Sequence, residues 1–126
     1  MKVLLDTHIL LWWLADDQRL PPQAATTIED PDTEVVVSAA SAWEISVKQA
    51  AGRLEAPDDL LDAIVASDFR ALAITAAHAV AAGRLPPHRA DPFDRMLVAQ
   101  AQIEGFTLVT VDRRFADYDV EILPLE

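Results

Sequence analysis

The sequence predicts an α/β fold, a three-layer sandwich with helices on both sides of a mostly parallel central sheet. Short apolar runs at Lys2-Val-Leu-Leu5, Glu34-Val-Val-Val37 and Thr107-Leu-Val-Thr110 have the composition of strands buried on both faces. Segments of helical periodicity separate them, and an alternation of this kind requires crossover connections between parallel neighbours. The chain has 126 residues, 52% of them hydrophobic, without repeats or a linker-like stretch, so a single domain over residues 1–126 is expected.

In chain order, the first strand ends at Asp6. Thr7 is placed to cap a helix beginning at His8, and Ile9, Leu10, Trp12, Trp13 and Leu14 make that helix apolar over more than half its circumference. Trp12 and Trp13 therefore belong either to the core or to a groove for a partner helix. Gln23 to Glu29 reads as a weak helix closed by Asp30-Pro-Asp32. After the second strand Ser38 is an N-cap, and Trp43, Val47, Ala50, Ala51 and Leu54 form a stripe that predicts a helix with its Trp43 side inward. Glu44 lies beside that stripe, about 9 Å along the helix from Ser38 and so near the sheet end.

Asp58 to Ser67 reads as an amphipathic helix burying Leu60, Leu61, Ile64 and Val65. Arg70 to Ile74 is a weaker third strand, Thr75 caps Ala76 to Gly83, and Leu85 to Ala90 is a surface connection. Asp91 precedes Pro92, which predicts an extended Asp91 and a helix opened by Pro92. Phe93, Met96, Leu97 and Ala101 recur at helical spacing, and Gly105 closes the helix in a left-handed conformation. One helical turn at Arg113 to Asp117 and a last strand near Val120 to Leu123 complete the chain.

Composition narrows the function classes. Asp and Glu total 21 against 10 Lys and Arg, a net charge of −11, which argues against holding nucleic acid by passive phosphate neutralisation. The absence of cysteine removes disulfides and thiolate–metal chemistry, and three glycines leave no phosphate-cradling loop. Neither a signal-like leader nor a run long enough to span a bilayer is present, so a cytoplasmic protein without a membrane partner is the expectation.

Four acids then stand out. Asp94 in a first helical turn complements the helix dipole, Asp112 caps a short turn, and Glu44 is spaced to pair with Lys48, so each has a structural explanation when taken alone. Asp6 differs, because a carboxylate closing a buried strand needs a cation or several donors. Placed together, the four belong to one end of one sheet. Such a cluster suits Mg²⁺, with Mn²⁺ as a substitute, and its natural chemistry is metal-activated attack of water on a phosphodiester.

Leu4-Leu-Asp-Thr-His8, Ser38 to Lys48 (SAASAWEISVK), Asp91 to Ala101 (DPFDRMLVAQA) and Leu108 to Phe115 (LVTVDRRF) resemble the four acidic motifs of PIN domains, in particular the VapC toxins of type II toxin–antitoxin systems. The resemblance covers the whole chain. It implies a Mg²⁺-dependent ribonuclease in which Asp6, Glu44, Asp94 and Asp112 are the catalytic, metal-binding quartet, with Thr110 as a polar neighbour. It further implies an RNA substrate, a VapB-like antitoxin, a homodimer, and contact with DNA only through the antitoxin. Capping accounts for Asp91. Arg95, Arg113 and Arg114 adjoin the acids and serve either to contact RNA phosphates or to balance carboxylates. His8, His78 and His88 lack metal-ligand spacing. Two alternatives have other consequences: a non-catalytic binding module of the same fold would show no metal dependence, and an Asp-dependent phosphotransfer protein would need Asp-x-Asp where this chain has Asp6-Thr-His8, or a late Lys that it lacks.

Overall fold

The structure, a computed structural model, describes residues 1–125. Four strands, β1 (Lys2–Leu5), β2 (Glu34–Ser38), β3 (Arg70–Leu72) and β4 (Thr107–Val109), form a parallel sheet in the order β3-β2-β1-β4. Val3 of β1 is in register with Val35 on one side and Thr107 on the other, so β1 is central. The helices are α1 (Thr7–Leu14), α2 (Pro22–Glu29), α3 (Ala39–Ala50), α4 (Leu60–Ala66), α5 (Ala76–Gly83) and α6 (Pro92–Glu104), followed by a 3-10 turn at Arg113–Asp117.

The two-residue period of the strands divides the core into two layers. Val3, Leu5, Val35, Val37 and Val109 face one side, against Ile9 and Leu10 of α1, Ile28 of α2, Ile45 of α3 and Ile64 of α4. Leu4, Val36 and Leu108 face the other, against Leu97, Val98 and Ala101 of α6 and against Phe115. This is the three-layer arrangement that the apolar strand runs predict. Pro92 opens α6 and Gly105 closes it at φ 74°, the left-handed value that glycine adopts without a Cβ penalty.

Local details depart from the sequence reading for identifiable reasons. Asp6, not Thr7, caps α1, accepting from the Ile9 backbone N–H at 2.8 Å, which releases the Thr7 hydroxyl for another contact. Helix α3 turns the opposite face inward: Ala40, Ser41, Glu44 and Ile45 are buried, while Trp43 is 60% exposed and Val47 48% exposed. Small residues allow α3 to close on its neighbours, and its polar residues have partners within; Trp43 lies edge-on to Phe93, centroids 5.1 Å apart. On α4 only Ile64 is buried, with Leu61 and Val65 exposed. Strand β3 stops at Leu72, and the expected last strand reduces to a single bridge, Leu108 to Ile122, before Pro124.

The inverted face of α3 has a measurable consequence. Ile45→Ala removes a fully buried side chain and is expected to cost about 2–5 kcal/mol in urea unfolding. Val47→Ala, on the stripe that amphipathicity singles out, is expected to change stability by less than about 0.5 kcal/mol. The reverse order would place the wrong face of α3 in the core.

Candidate active site

Strand direction assembles the site. With all strands parallel, segments that follow them emerge at one edge, and a helix that returns the chain to the start of the next strand must begin at that edge. Asp6 follows β1, Glu44 lies in the second turn of α3 after β2, Asp94 is in the first turn of α6, and Asp112 comes three residues after β4. All four line a cleft of about 170 Å³ together with Thr7, His8, Lys48, Arg89, Asp91, Arg114 and Phe115.

Asp6 and Glu44 are buried, each 5% exposed; Asp6 is oriented by neutral donors, Glu44 by a hydroxyl and the Lys48 ammonium. One oxygen of Asp6 accepts the Ile9 N–H and the other accepts the Thr110 hydroxyl in a short hydrogen bond. Burial raises the Asp6 pKa, against which these two donors and His8 act, while the Asp112 charge adds to the rise. Thr110 is itself positioned by accepting from the Asp112 N–H at 3.0 Å. On α3, Glu44 Oε1 accepts from Thr7 Oγ1 at 2.7 Å and Oε2 from Lys48 Nζ at 2.6 Å. Ser41 Oγ lies 3.0 Å from the same Thr7 hydroxyl, so α1 and α3 are tied by side chains that the apolar stripe does not register.

Asp94 and Asp112 are joined by a cation. Arg89 places Nη2 2.5 Å from Asp94 Oδ2 and Nη1 2.8 Å from Asp112 Oδ2. Asp112 also accepts from the Arg114 backbone N–H and from Nε and Nη2 of its guanidinium, and with Arg114 as the main cause its pKa is held well below the carboxylate range. The Asp94 carboxyl moves the other way. Burial first, then the charge of Asp91, then Glu44 and Asp112, push it up to about 6 despite Arg89. Asp91 caps α6, accepting from the N–H groups of Phe93 and Asp94.

The remaining predicted residues divide. Arg95 does not line the cleft: its guanidinium donates to the carbonyls of Ala82, Leu85 and Pro86 at 2.9 Å each, so it clamps the α5–α6 connection. Arg114 is committed to Asp112, whereas Arg113 is exposed and pairs with no acid among the described residues. Trp13 leans into the core, donating to Ser67 Oγ at 3.2 Å and packing on Phe69. Trp12 is half-buried between His8 and Arg19. His78 is buried and completes the cap of α5; His8 and His88 are exposed. Arg89 escapes sequence reasoning because it lies in a Pro-containing connection with no periodicity to place it.

Comparison with known proteins identifies the family. The PIN domain model matches residues 3–121. Ribonuclease VapC22 of Mycobacterium tuberculosis (strain ATCC 25618 / H37Rv) is 36% identical over 119 residues, 92% of this chain and 91% of that protein. The fold is similar to that in the crystal structure of VapBC2 from Rickettsia felis bound to a promoter DNA fragment, at a TM-score of 0.71 and 17% identity over 98% of both chains. It is also similar to a toxin–antitoxin complex from Klebsiella pneumoniae, at 0.69 and 21% over 98% of both chains. The motifs, the parallel sheet and the acid cleft at its edge thus meet in one identity: the chain belongs to the PIN domain family, as a VapC-type member.

Proposed function

We propose that this chain is a metal-dependent endoribonuclease, the toxin of a type II toxin–antitoxin pair, hydrolysing RNA phosphodiesters at Asp6, Glu44, Asp94 and Asp112. The observation that carries the reading is the convergence of these four carboxylates, from four separate segments, on one cleft. The 36% identity to a protein named a ribonuclease supports the reaction class.

The donor set fits a hard divalent cation. It consists of carboxylate oxygens, with no sulfur in the chain, and a guanidinium already stands between two of the acids as a cationic substitute. Among the described residues no three His, Asp or Glu side chains are already grouped closely enough to hold an ion; a divalent cation at these acids would take waters and substrate phosphate as further ligands. Mg²⁺ or Mn²⁺, when bound by these four acids, would supply an activated water and a counter-charge for the leaving oxygen. The chain's own contribution is orientation. Thr110 and the Ile9 N–H fix Asp6 while leaving a lone pair on each of its oxygens, and Thr7 fixes Glu44 in the same way. Arg114 keeps Asp112 ionised.

The partner reading follows from the same membership. Complexes of toxin with antitoxin among the similar structures support a VapB-like antitoxin; DNA would be reached only through that partner. The exposed Leu61 and Val65 and the half-buried Trp12 leave apolar surface for that partner and for a homodimer.

Three outcomes are expected. Highly purified protein cleaves RNA with Mg²⁺ or Mn²⁺ and stops in EDTA, and Asp6→Asn or Glu44→Gln lowers kcat/KM by at least about a hundredfold; cleavage that persists in chelator would sink the metal mechanism. Co-expression with the neighbouring reading frame yields a complex on size-exclusion chromatography, and its absence there refutes the pairing. The third concerns pH. Raised from 3.8 to about 6, the Asp94 pKa means that the folded chain holds this proton more tightly than the unfolded one. Ionisation of Asp94 therefore destabilises the fold as pH rises between about 4 and 6. The depressed Asp112 acts in a lower window, losing stability as pH falls below about 4. In EDTA, Asp94→Asn is expected to melt higher than wild type at pH 7, on the order of 1 kcal/mol net of the lost Arg89 pairing, with no advantage at pH 4. A lower melting point at both pH values would make Asp94 a simple helix-dipole partner.

A further inference from the structure

Arg89 belongs to none of the elements that carry the acids, yet its side chain is only 11% exposed. It is held at both ends. Its backbone N–H donates to Tyr118 Oη at 3.1 Å, and its guanidinium lies over the Phe115 ring, 5.3 Å from the centroid. Between these anchors, separate nitrogens reach Asp94 on α6 and Asp112 after β4. Among the described residues no other cation near the cleft is placed in this way. Lys48 serves Glu44, Arg114 is 69% exposed and serves Asp112 alone, and Arg95 is committed to carbonyls. A planar fork that bridges two carboxylates also matches the two free oxygens of a phosphodiester.

We propose that Arg89 is the phosphate-holding residue of the cleft, an internal cation between Asp94 and Asp112 that passes to the scissile phosphodiester when a divalent ion takes those carboxylates. This rests on the ribonuclease reading above. Charge is conserved in the exchange: two carboxylates lose one guanidinium and gain a divalent ion, and the released guanidinium meets one phosphate. A largely buried cation deprived of its partners is costly, so Arg89 leaves the acids more readily when a phosphate is there to receive it. Metal and RNA then bind with positive coupling, each raising the affinity for the other.

The test is calorimetric titration of Mn²⁺ into the full chain, wild type against Arg89→Gln and Arg114→Gln, followed by RNA cleavage at saturating Mn²⁺. Arg89→Gln is expected to bind Mn²⁺ about tenfold more tightly, because no internal cation has to be displaced. Arg114→Gln, removing an exposed and screened charge, should gain about twofold or less. At saturating Mn²⁺, Arg89→Gln should lose roughly tenfold or more in kcat/KM. If Arg89 only braced the acids, its loss would loosen them and weaken Mn²⁺ binding; weaker or unchanged binding overturns the internal cation. Unchanged kcat/KM at saturation overturns the phosphate role. Should Arg89→Gln fail to fold by circular dichroism, Arg89→Lys decides: metal affinity near wild type with reduced kcat/KM supports the fork, and wild-type values for both overturn it. A wild type that binds Mn²⁺ but cuts no RNA brings down the ribonuclease reading and the phosphate role with it, while the Mn²⁺ comparison still decides whether Arg89 is an internal cation.

Discussion

Because β1 runs between β2 and β4 with every strand pointing the same way, the residue after Leu5 emerges where the segments after β2 and β4 also emerge. That residue is Asp6, with little contact to water, and burial penalises its charge. Much of the neighbouring sequence is arranged around this penalty. Asp6 caps α1 and so borrows the Ile9 N–H of that helix, and it takes the Thr110 hydroxyl from the adjacent strand end. Thr110 in turn accepts from Asp112, so the loop carrying a second acid is set by its link to the first. Loss of the parallel register would separate these partners and leave a buried charge unmet.

Fold class was readable in the sequence because strands buried on both faces must be apolar nearly throughout, and few other elements are. The helix caps at Ser38, Thr75 and Asp91 were readable for a similarly local reason, since the donors they satisfy lie two or three residues away. Helix α3 was misread because amphipathicity counts apolar residues and takes their side to be the inner one. Its inner side holds Ser41 and Glu44, whose partners, Thr7 and Lys48, neutralise the cost of enclosing them. The same contacts that make α3 part of a site therefore conceal its orientation from a hydrophobic pattern.

The acids themselves were legible as a set, since each falls at a strand end or a helix start, and topology brings those places together. The arginines were not. Arg95 stands next to Asp94 in sequence, but adjacent helical residues point about 100° apart. Its guanidinium accordingly goes to the carbonyls of the α5–α6 connection and not to the cleft. Arg89, five residues before Asp94 in a connection without periodic pattern, reaches both Asp94 and Asp112. Side-chain reach across an irregular segment depends on tertiary packing, here on Tyr118 and Phe115, which carry no sequence signal pointing back to residue 89.

The cleft is consequently built in two unlike halves. Asp6 is held by a hydroxyl and a backbone N–H, neutral donors that fix its direction and leave its charge uncancelled. Asp94 and Asp112 are held by guanidinium groups, which cancel charge as well as orienting it. Neutral donors can remain in place when a divalent ion binds, because they compete with it for lone pairs but not for charge. Guanidinium groups, like the Lys48 ammonium on Glu44, compete for both, so on the proposed reading repulsion from an arriving ion would fall on these cations. Arg114 has solvent to move into, whereas Arg89 is enclosed and stacked on Phe115. Of the two arginines, Arg89 is the one whose proposed displacement would be coupled to another anion entering the cleft.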